Sequence, residues 1–372
     1  MNVDIVVVGS GIAASAAILS LKQQGLSATQ IAPPEKATDK IGETLSCSAN
    51  RILKELKLWG AFQDRRYLVH DLVFSAWEAP SLTRQSRLSI TEGSNWSIDR
   101  RDFEDFLREQ SNNSHHRRLF NKVQNCHSVA NGLQLELDNQ QAVHAKFVID
   151  CSGRASVIGG RLSKRYRIDN MICYYSFIKQ IDHEIEPTIG IMIEAVENGW
   201  WYTAILPDNR MMISFYTYTD LVHAQLHRDS QAWELLIKQA PLTSQRIESA
   251  GYAVLEPPLT SDAGMVHQAD LSGEHWCAAG DALGTLDPLS SHGMTQALWS
   301  GSRAAEACSS ALQGDDSGLR QLKQTMHLAM QAYQTELLQK YRSVHRFAKH
   351  LFWQRRGSLN FQPGIAPGKA GT

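Results

Sequence analysis

A mixed α/β fold, α+β overall, is predicted by three features of this 372-residue chain. The first is its opening, Val3 to Val8, a β-branched run that suits a strand buried on both faces. The second follows at once: Gly9, Gly11 and Ala14 form G-x-G-x-x-A and lead into a helix of small residues. The first glycine makes a tight turn, the second lets backbone approach a pyrophosphate, and a small third residue lets helix and strand pack closely. The helix N-terminus adds free N–H groups and a positive partial charge. The third feature is a late return to the same grammar, where an apolar strand ends in Gly280-Asp281 after a long central block of aromatic residues and strand formers. Together they predict a Rossmann-like dinucleotide-binding domain, an inserted and mainly antiparallel β-sheet domain, and C-terminal helices.

Composition narrows the function classes. Hydrophobic residues make up 43% and charged residues 20%, ordinary for a globular protein. A net charge of −1 gives no electrostatic case for nucleic acid or an anionic membrane. Cys47, Cys126, Cys151, Cys173, Cys277 and Cys308 are scattered without a C-x-x-C, so neither a disulfide framework nor a metal site is expected. A cytoplasmic location with reduced thiols is expected, since the cysteines suggest no disulfides and a cofactor strand at Val3 leaves no signal peptide to be expected ahead of it. No apolar run approaches the roughly 20 residues that span a bilayer.

Taken in order, Ala28 to Ala32 reads as a second strand. It runs into Pro33-Pro34 with Glu35 beyond, where dinucleotide folds place an acid on the adenosine ribose. Either Glu35 reaches the ribose from a shifted position or the ribose is held weakly. Ile41-Gly42-Glu43-Thr44-Leu45-Ser46 flows into a helix with an apolar face (Ala49, Ile52, Leu53, Leu56, Leu58) that Trp59-Gly60 ends. Leu72 to Trp77, Leu88 to Thr91 and Asn95 to Ile98 read as short antiparallel strands inserted into the nucleotide domain. Asp99 is a good N-cap for a helix carrying Phe103, Phe106 and Leu107. Strands at Leu133 to Leu137 and Ala142 to Ile149 end in Asp150-Cys151-Ser152-Gly153-Arg154. A helix at Thr295 to Leu312 and a helical stretch from Leu319 to about Trp353 close the chain. The expected domains are residues 1–160 with 261–315 for the nucleotide (a β insertion near 65–98), 161–260 for substrate, a helical segment at 316–356 and a flexible tail at 357–372.

The order of motifs then becomes specific. The N-terminal fingerprint, the Gly-Glu element, the Asp-Arg helix start, the D-C-S-G-R strand end and the late G-D-x(5)-D-P-x(4)-G-M resemble the FAD-dependent monooxygenase superfamily (para-hydroxybenzoate hydroxylase type), and especially its tryptophan halogenase branch. The resemblance implies FAD as cofactor. It implies that Gly9, Gly11, Ala13 and Ala14 take the pyrophosphate, that Gly42, Glu43 and Thr44 lie along the cofactor, and that Arg100 meets its phosphate or ribityl region. Asp281, after Gly280, would bind a ribityl hydroxyl; Pro288 would border the flavin; Gly293 and Met294 would offer N–H groups to it.

Two departures matter. Gly199-Trp200-Trp201-Tyr202-Thr203-Ala204-Ile205-Leu206-Pro207 is an altered, longer form of the halogenase G-W-x-W-x-I-P, and Arg65 to Phe74 carries no lysine to relay a halogen. Oxygen insertion is the chemistry that remains. I-G-E-T-L-S, L-D-P-L-S-S-x-G and the C-terminal Phe352-Trp353-Gln354-Arg355-Arg356 are most similar to the GoxB/LodB-type flavoproteins that accompany cysteine tryptophylquinone amino-acid oxidases. That resemblance implies a tryptophan side chain of a quinoprotein precursor as substrate, with O₂ and an electron donor that no second nucleotide fingerprint identifies. A monooxygenase or dehydrogenase for a small aromatic or lipid, and a non-catalytic flavin-binding chaperone, are the alternatives. His292, of the residue type that exchanges protons near neutral pH, is the candidate proton handler, with Ser291 beside it. His70, Trp201, Tyr202, Phe215 and Ser290 are the substrate-pocket candidates.

Overall fold

The structure, a computed structural model, describes residues 1–35, 40–86, 93–112 and 116–361. Two eight-stranded sheets carry the fold among these residues. The core of the first is parallel: Trp276–Ala278, Ala142–Asp150, Asn2–Val8, Thr29–Ile31 and Arg117–Leu119 lie side by side in that order. Its register is what matters for function. Val8 pairs with Asp150 and with Ile31, and Asp150 pairs with Ala278. The turns that follow these strands, at Gly9, Cys151 and Gly280, therefore meet at one sheet edge, the carboxyl edge where parallel α/β sheets bind their ligands.

The helices are α1 (Ile12–Gln23), α2 (Ala49–Glu55), α3 (Trp59–Asp64), α4 (Arg100–Ser111), α5 (Gly159–Leu162), α6 (Ser230–Lys238), α7 (Pro241–Ser249), α8 (Gly293–Leu312), α9 (Ser317–Arg342) and α10 (Leu351–Gly357). Small residues let α1 and α8 approach closely. A Cβ on Gly301 of α8 would stand 2.3 Å from the Ala13 carbonyl oxygen, and Ser20 Oγ donates to the Ser302 carbonyl at 3.2 Å. Gly9, at φ +119°, has its missing Cβ 2.3 Å from the Cys151 carbonyl oxygen, so no side chain fits there.

The second sheet runs Tyr252–Ala253, Ile172–Gln180, Met211–Thr217, Gly199–Ile205, Ile191–Val196, Leu72–Ala76 and Thr83–Ser86. All its neighbours are antiparallel except Ile191–Val196 with Leu72–Ala76. This corrects the expected insertion near 65–98. Leu72–Ala76 and Thr83–Ser86 extend the second sheet, whereas Leu68–His70 and Asn95–Ser97 join Thr44–Leu45 in a separate small sheet. The period-2 pattern identifies strands and says nothing of their partners.

Other local expectations also change. Trp59-Gly60 opens α3 instead of ending a helix; α2 stops before Lys57, whose φ of 59° is left-handed and turns the chain. The helical pattern after Leu319 breaks at Arg342, and α10 turns back against the second sheet, where Trp353 Nε1 donates to the Val196 carbonyl at 2.8 Å. Within residues 357–361, expected to be loose, Gly357 ends α10 and Leu359 and Phe361 pack against the core of the second sheet, with Phe361 stacked on His267 at 6.0 Å. The expected strand at Leu88 to Thr91 and the tail from 362 lie outside the described residues.

Because its contact is backbone on backbone, Gly301→Ala is expected to lower apoprotein stability by about 1–3 kcal/mol, read from the urea midpoint. An unchanged midpoint would show that α1 and α8 can separate freely.

Candidate active site

A groove of about 350 Å³ runs along the carboxyl edge of the parallel sheet and under the second sheet. Gly11, Ala13, Gly42, Glu43, Thr44, Arg100, Gly280, Asp281, Pro288, Gly293 and Met294 all line it. Gly9 and Ala14 do not; Gly9 shapes the turn and Ala14 is fully buried between helix and sheet. Two helices begin at this groove, and neither is capped. Gly11 at the start of α1 and His292 at the start of α8 make no side-chain cap bond, and neither first turn holds an acidic residue. Free N–H groups and two positive helix ends thus face one space, a match for an anionic and carbonyl-rich ligand such as FAD. Around Gly11 there is open space, with nothing within 4 Å of the point a Cβ would occupy, so the chain leaves room there that it does not itself need.

Each polar group of the groove has a local cause. Asp99 caps α4, accepting from Arg101 N at 2.9 Å and Asp102 N at 3.0 Å, and this starts the helix at Arg100. Glu104, one turn on, takes Arg100 Nε at 2.8 Å and aims its guanidinium back toward Gly42. Gly42 has φ +114°, and a Cβ there would lie 2.7 Å from Arg100 Nη1. Glu43 is buried, its Oε1 accepting from Gly42 N at 2.6 Å; desolvation raises its pKa to about 7 against the pull of that bond and of Arg100. Thr44 Oγ1 and Tyr202 Oη share a 2.6 Å bond across the groove. The Asp281 side chain is 44% exposed to the groove; its depth pushes its pKa up, and Arg154 (3.9 Å), Arg100 and Arg165 pull it down. Glu35 does not line the groove and is held by Arg108 at 2.7 Å and Arg118 at 3.5 Å.

A second, larger hollow of about 860 Å³ lies between the Leu72–Ala76 and Thr83–Ser86 hairpin, α2, α8 and α9. Ile52, Val73, Ile193, Leu289, Trp299 and Met330 make apolar walls, and Glu78, Glu336 and Lys340 stand at its exposed mouth. Leu286, Ser290 and His292 line both spaces, so groove and hollow meet at this corner. Ser291 there adopts φ 53°, a left-handed conformation that turns the chain from Pro288–Ser290 into α8. His292 is exposed at the junction, and its Nδ1 is bonded to the Ser290 carbonyl oxygen.

Three pocket candidates belong elsewhere. Trp201 and Phe215 stack on each other at 4.7 Å on the far face of the second sheet, where Trp201 meets Trp233 of α6 at 5.0 Å. Strand alternation sends Trp200, Tyr202 and Tyr216 to the groove side and their neighbours away from it. His70 is 3% exposed, lines neither space, and has its pKa lowered to about 4 by desolvation. Sequence reasoning missed the hollow itself and the residues α9 supplies to it, Met326, Met330, Tyr333 and Glu336 among them; their i, i+3, i+4, i+7 spacing reads simply as a packing face.

Two outcomes follow. Gly11→Glu fits the empty space without a clash, so it should leave the apoprotein midpoint unchanged while abolishing flavin absorbance, and Asp281→Ala should lower FAD content; full flavin content in both would remove the groove assignment. For Glu43, a folded-state pKa above the usual 4.5 means that ionisation opposes folding. Apoprotein stability should fall as pH rises from 4.5 through 7, by up to about 3 kcal/mol, and Glu43→Gln should flatten that fall. A parallel pH profile in urea denaturation would exclude this role for Glu43.

A family profile described as tryptophan halogenase matches residues 75–365. A putative FAD-dependent oxidoreductase, LodB of Marinomonas mediterranea (strain ATCC 700492 / JCM 21426 / NBRC 103028 / MMB-1), is 24% identical over 369 residues, covering 96% of this chain and 97% of that protein. Among solved structures, the flavin-dependent brominase Bmp2 superposes with a TM-score of 0.79 at 17% identity, over 96% of this chain and 94% of that one. The peptidyl tryptophan dihydroxylase QhpG, described as essential for tryptophylquinone cofactor biogenesis, superposes with a TM-score of 0.70 at 19% identity, over 96% and 79%. At these identities the two structures establish a shared fold. With the profile spanning most of its length and the groove built to match, the chain belongs to the tryptophan halogenase family of FAD-dependent oxidoreductases.

Proposed function

We propose that this chain is a cytoplasmic FAD-dependent monooxygenase that hydroxylates a tryptophan side chain of a partner protein, the precursor of a quinoprotein amino-acid oxidase, during formation of a tryptophylquinone. The observation that carries the reading is the meeting of the cofactor groove and the large hollow at Leu286, Ser290 and His292. The hollow has apolar walls for an aromatic ring and a charged, exposed mouth for the flanking chain. At about 860 Å³ it has room for more than one ring. Similarity to LodB over nearly the whole chain supports an FAD-dependent oxidoreductase, and the fold shared with QhpG, a peptidyl tryptophan dihydroxylase, supports a protein-bound tryptophan.

The residues then take definite tasks. Gly11, Gly42 and Gly280 let the cofactor approach the backbone, while Arg100 and the two helix ends meet its negative charge. Bound FAD, once reduced, supplies the activation of O₂. The apolar walls exclude water from the reacting ring. His292 donates Nδ1–H to the Ser290 carbonyl oxygen, which leaves Nε2 as an acceptor. That nitrogen stands at the junction and takes the proton that the indole ring loses as oxygen enters. Ser290 and Ser291 shape the passage.

The test is co-expression of the precursor with and without this protein, with the tryptophan-bearing peptide weighed by mass spectrometry. A gain of oxygen that depends on this chain is expected, and His292→Ala should slow it about a hundredfold with FAD content intact. An unmodified tryptophan in a stable complex would instead mark a chaperone, and turnover of a free aromatic without any partner would mark a small-molecule enzyme.

A further inference from the structure

The corner that joins groove and hollow is held from behind by the C-terminal helices, through its main chain and its side chain separately. Asp287 N–H donates to Tyr333 Oη at 2.6 Å. The Asp287 carboxylate accepts from Leu289 N at 2.8 Å, from Tyr341 Oη at 3.1 and 3.0 Å, and from Arg356, which also binds Asp169. Trp200 Nε1 donates to Tyr341 Oη at 3.1 Å and closes this set. The carboxylate side is thus anchored by wholly buried groups: Arg356 and Asp287 are 0% exposed and Tyr341 1%. The main-chain N–H rests on Tyr333, and Tyr333 differs from the others in one respect. It is half-buried, and its ring forms part of the wall of the large hollow. Tyr341, Arg356 and Asp169 do not touch that hollow.

We propose that Tyr333 is a positioning residue that couples occupancy of the hollow to the grip on FAD. A ring entering the hollow packs on the Tyr333 ring and sets where its hydroxyl holds Asp287 N–H. That sets where Pro288, the next residue, borders the cofactor. Burial keeps the Tyr333 hydroxyl protonated, so the bond is a neutral one, of a strength that can be shifted without breaking the corner. Coupling of this kind is reciprocal: substrate tightens or loosens FAD, and FAD does the same to substrate. The proposal rests on reading the hollow as the substrate site.

Tyr333→Phe keeps the ring and removes only the hydroxyl. FAD is titrated into apoprotein and followed by flavin fluorescence, with and without saturating N-acetyl-L-tryptophanamide, whose own binding is followed by equilibrium dialysis. The amide is expected to change the wild-type Kd for FAD at least about threefold, and Tyr333→Phe to abolish that response with the apoprotein urea midpoint held. Tyr341→Phe, which loses a bond to the same aspartate but does not line the hollow, should keep the response. An equal response in wild type and Tyr333→Phe, or none in a wild type that binds the amide, overturns the coupling and leaves the substrate reading intact. Failure of the amide to bind removes the substrate reading and the coupling with it.

Discussion

The corner where groove and hollow meet depends on one buried charge cluster, Arg356 between Asp169 and Asp287. Each of the three comes from a different part of the chain. Asp169 precedes the first long strand of the second sheet, Asp287 sits at the seam of the two cavities, and Arg356 lies at the end of α10. Burying an ion without its partner costs several kcal/mol, so none of the three segments can leave without stranding the others. Around this centre Tyr341 lies under the guanidinium at 4.5 Å, and Trp77, Phe352 and Trp353 pack against Tyr341. The cluster therefore ties the antiparallel sheet and the C-terminal helices to the loop at 286–292 that lines the groove.

The cofactor groove follows from a different constraint, the parallel register. Once Val8, Asp150 and Ala278 are aligned, the three turns after them must share an edge. Asp150 then secures its own turn: its two oxygens accept from Ser152 N at 3.0 Å, Ile158 N at 2.9 Å and Gly159 N at 2.8 Å. The turn so fixed presents Gly153 and Arg154 to the groove. Close packing of α1 on α8 brings the second helix end to the same place. Two positive helix ends with no acidic residue of their own are a standing electrostatic demand that a bound anion satisfies.

The site divides into a rigid part and an adjustable part. Backbone turns, glycines and helix ends line the groove, and their geometry is set by sheet register. The hollow is walled by side chains from the hairpin at 72–86, α2, α8 and α9, which are far apart in sequence. Leu286, Ser290 and His292 belong to both parts, so the two cavities share a few residues there.

Much of this is legible in the sequence, for a physical reason. Short-range rules govern tight turns, helix starts and strand alternation, and most residues singled out for the cofactor line the groove because each is dictated locally: Gly280 by its left-handed turn, Arg100 by the Asp99 cap, Gly42 by the space Arg100 needs. The orientation of the aromatic side chains is different. Trp201 and Tyr202 are adjacent and equally aromatic, yet only Tyr202 reaches the groove, because a one-residue step in a strand reverses the face. His70 sits on a short strand whose partner, Asn95–Ser97, is set by the small sheet and directs it away from both cavities. Arg356 reads as an ordinary charge near a C-terminus until α10 folds back and buries it. Hydrogen bonding and sterics within a few residues make the groove readable from the chain alone, whereas packing between distant segments chooses which of several equivalent side chains face the hollow.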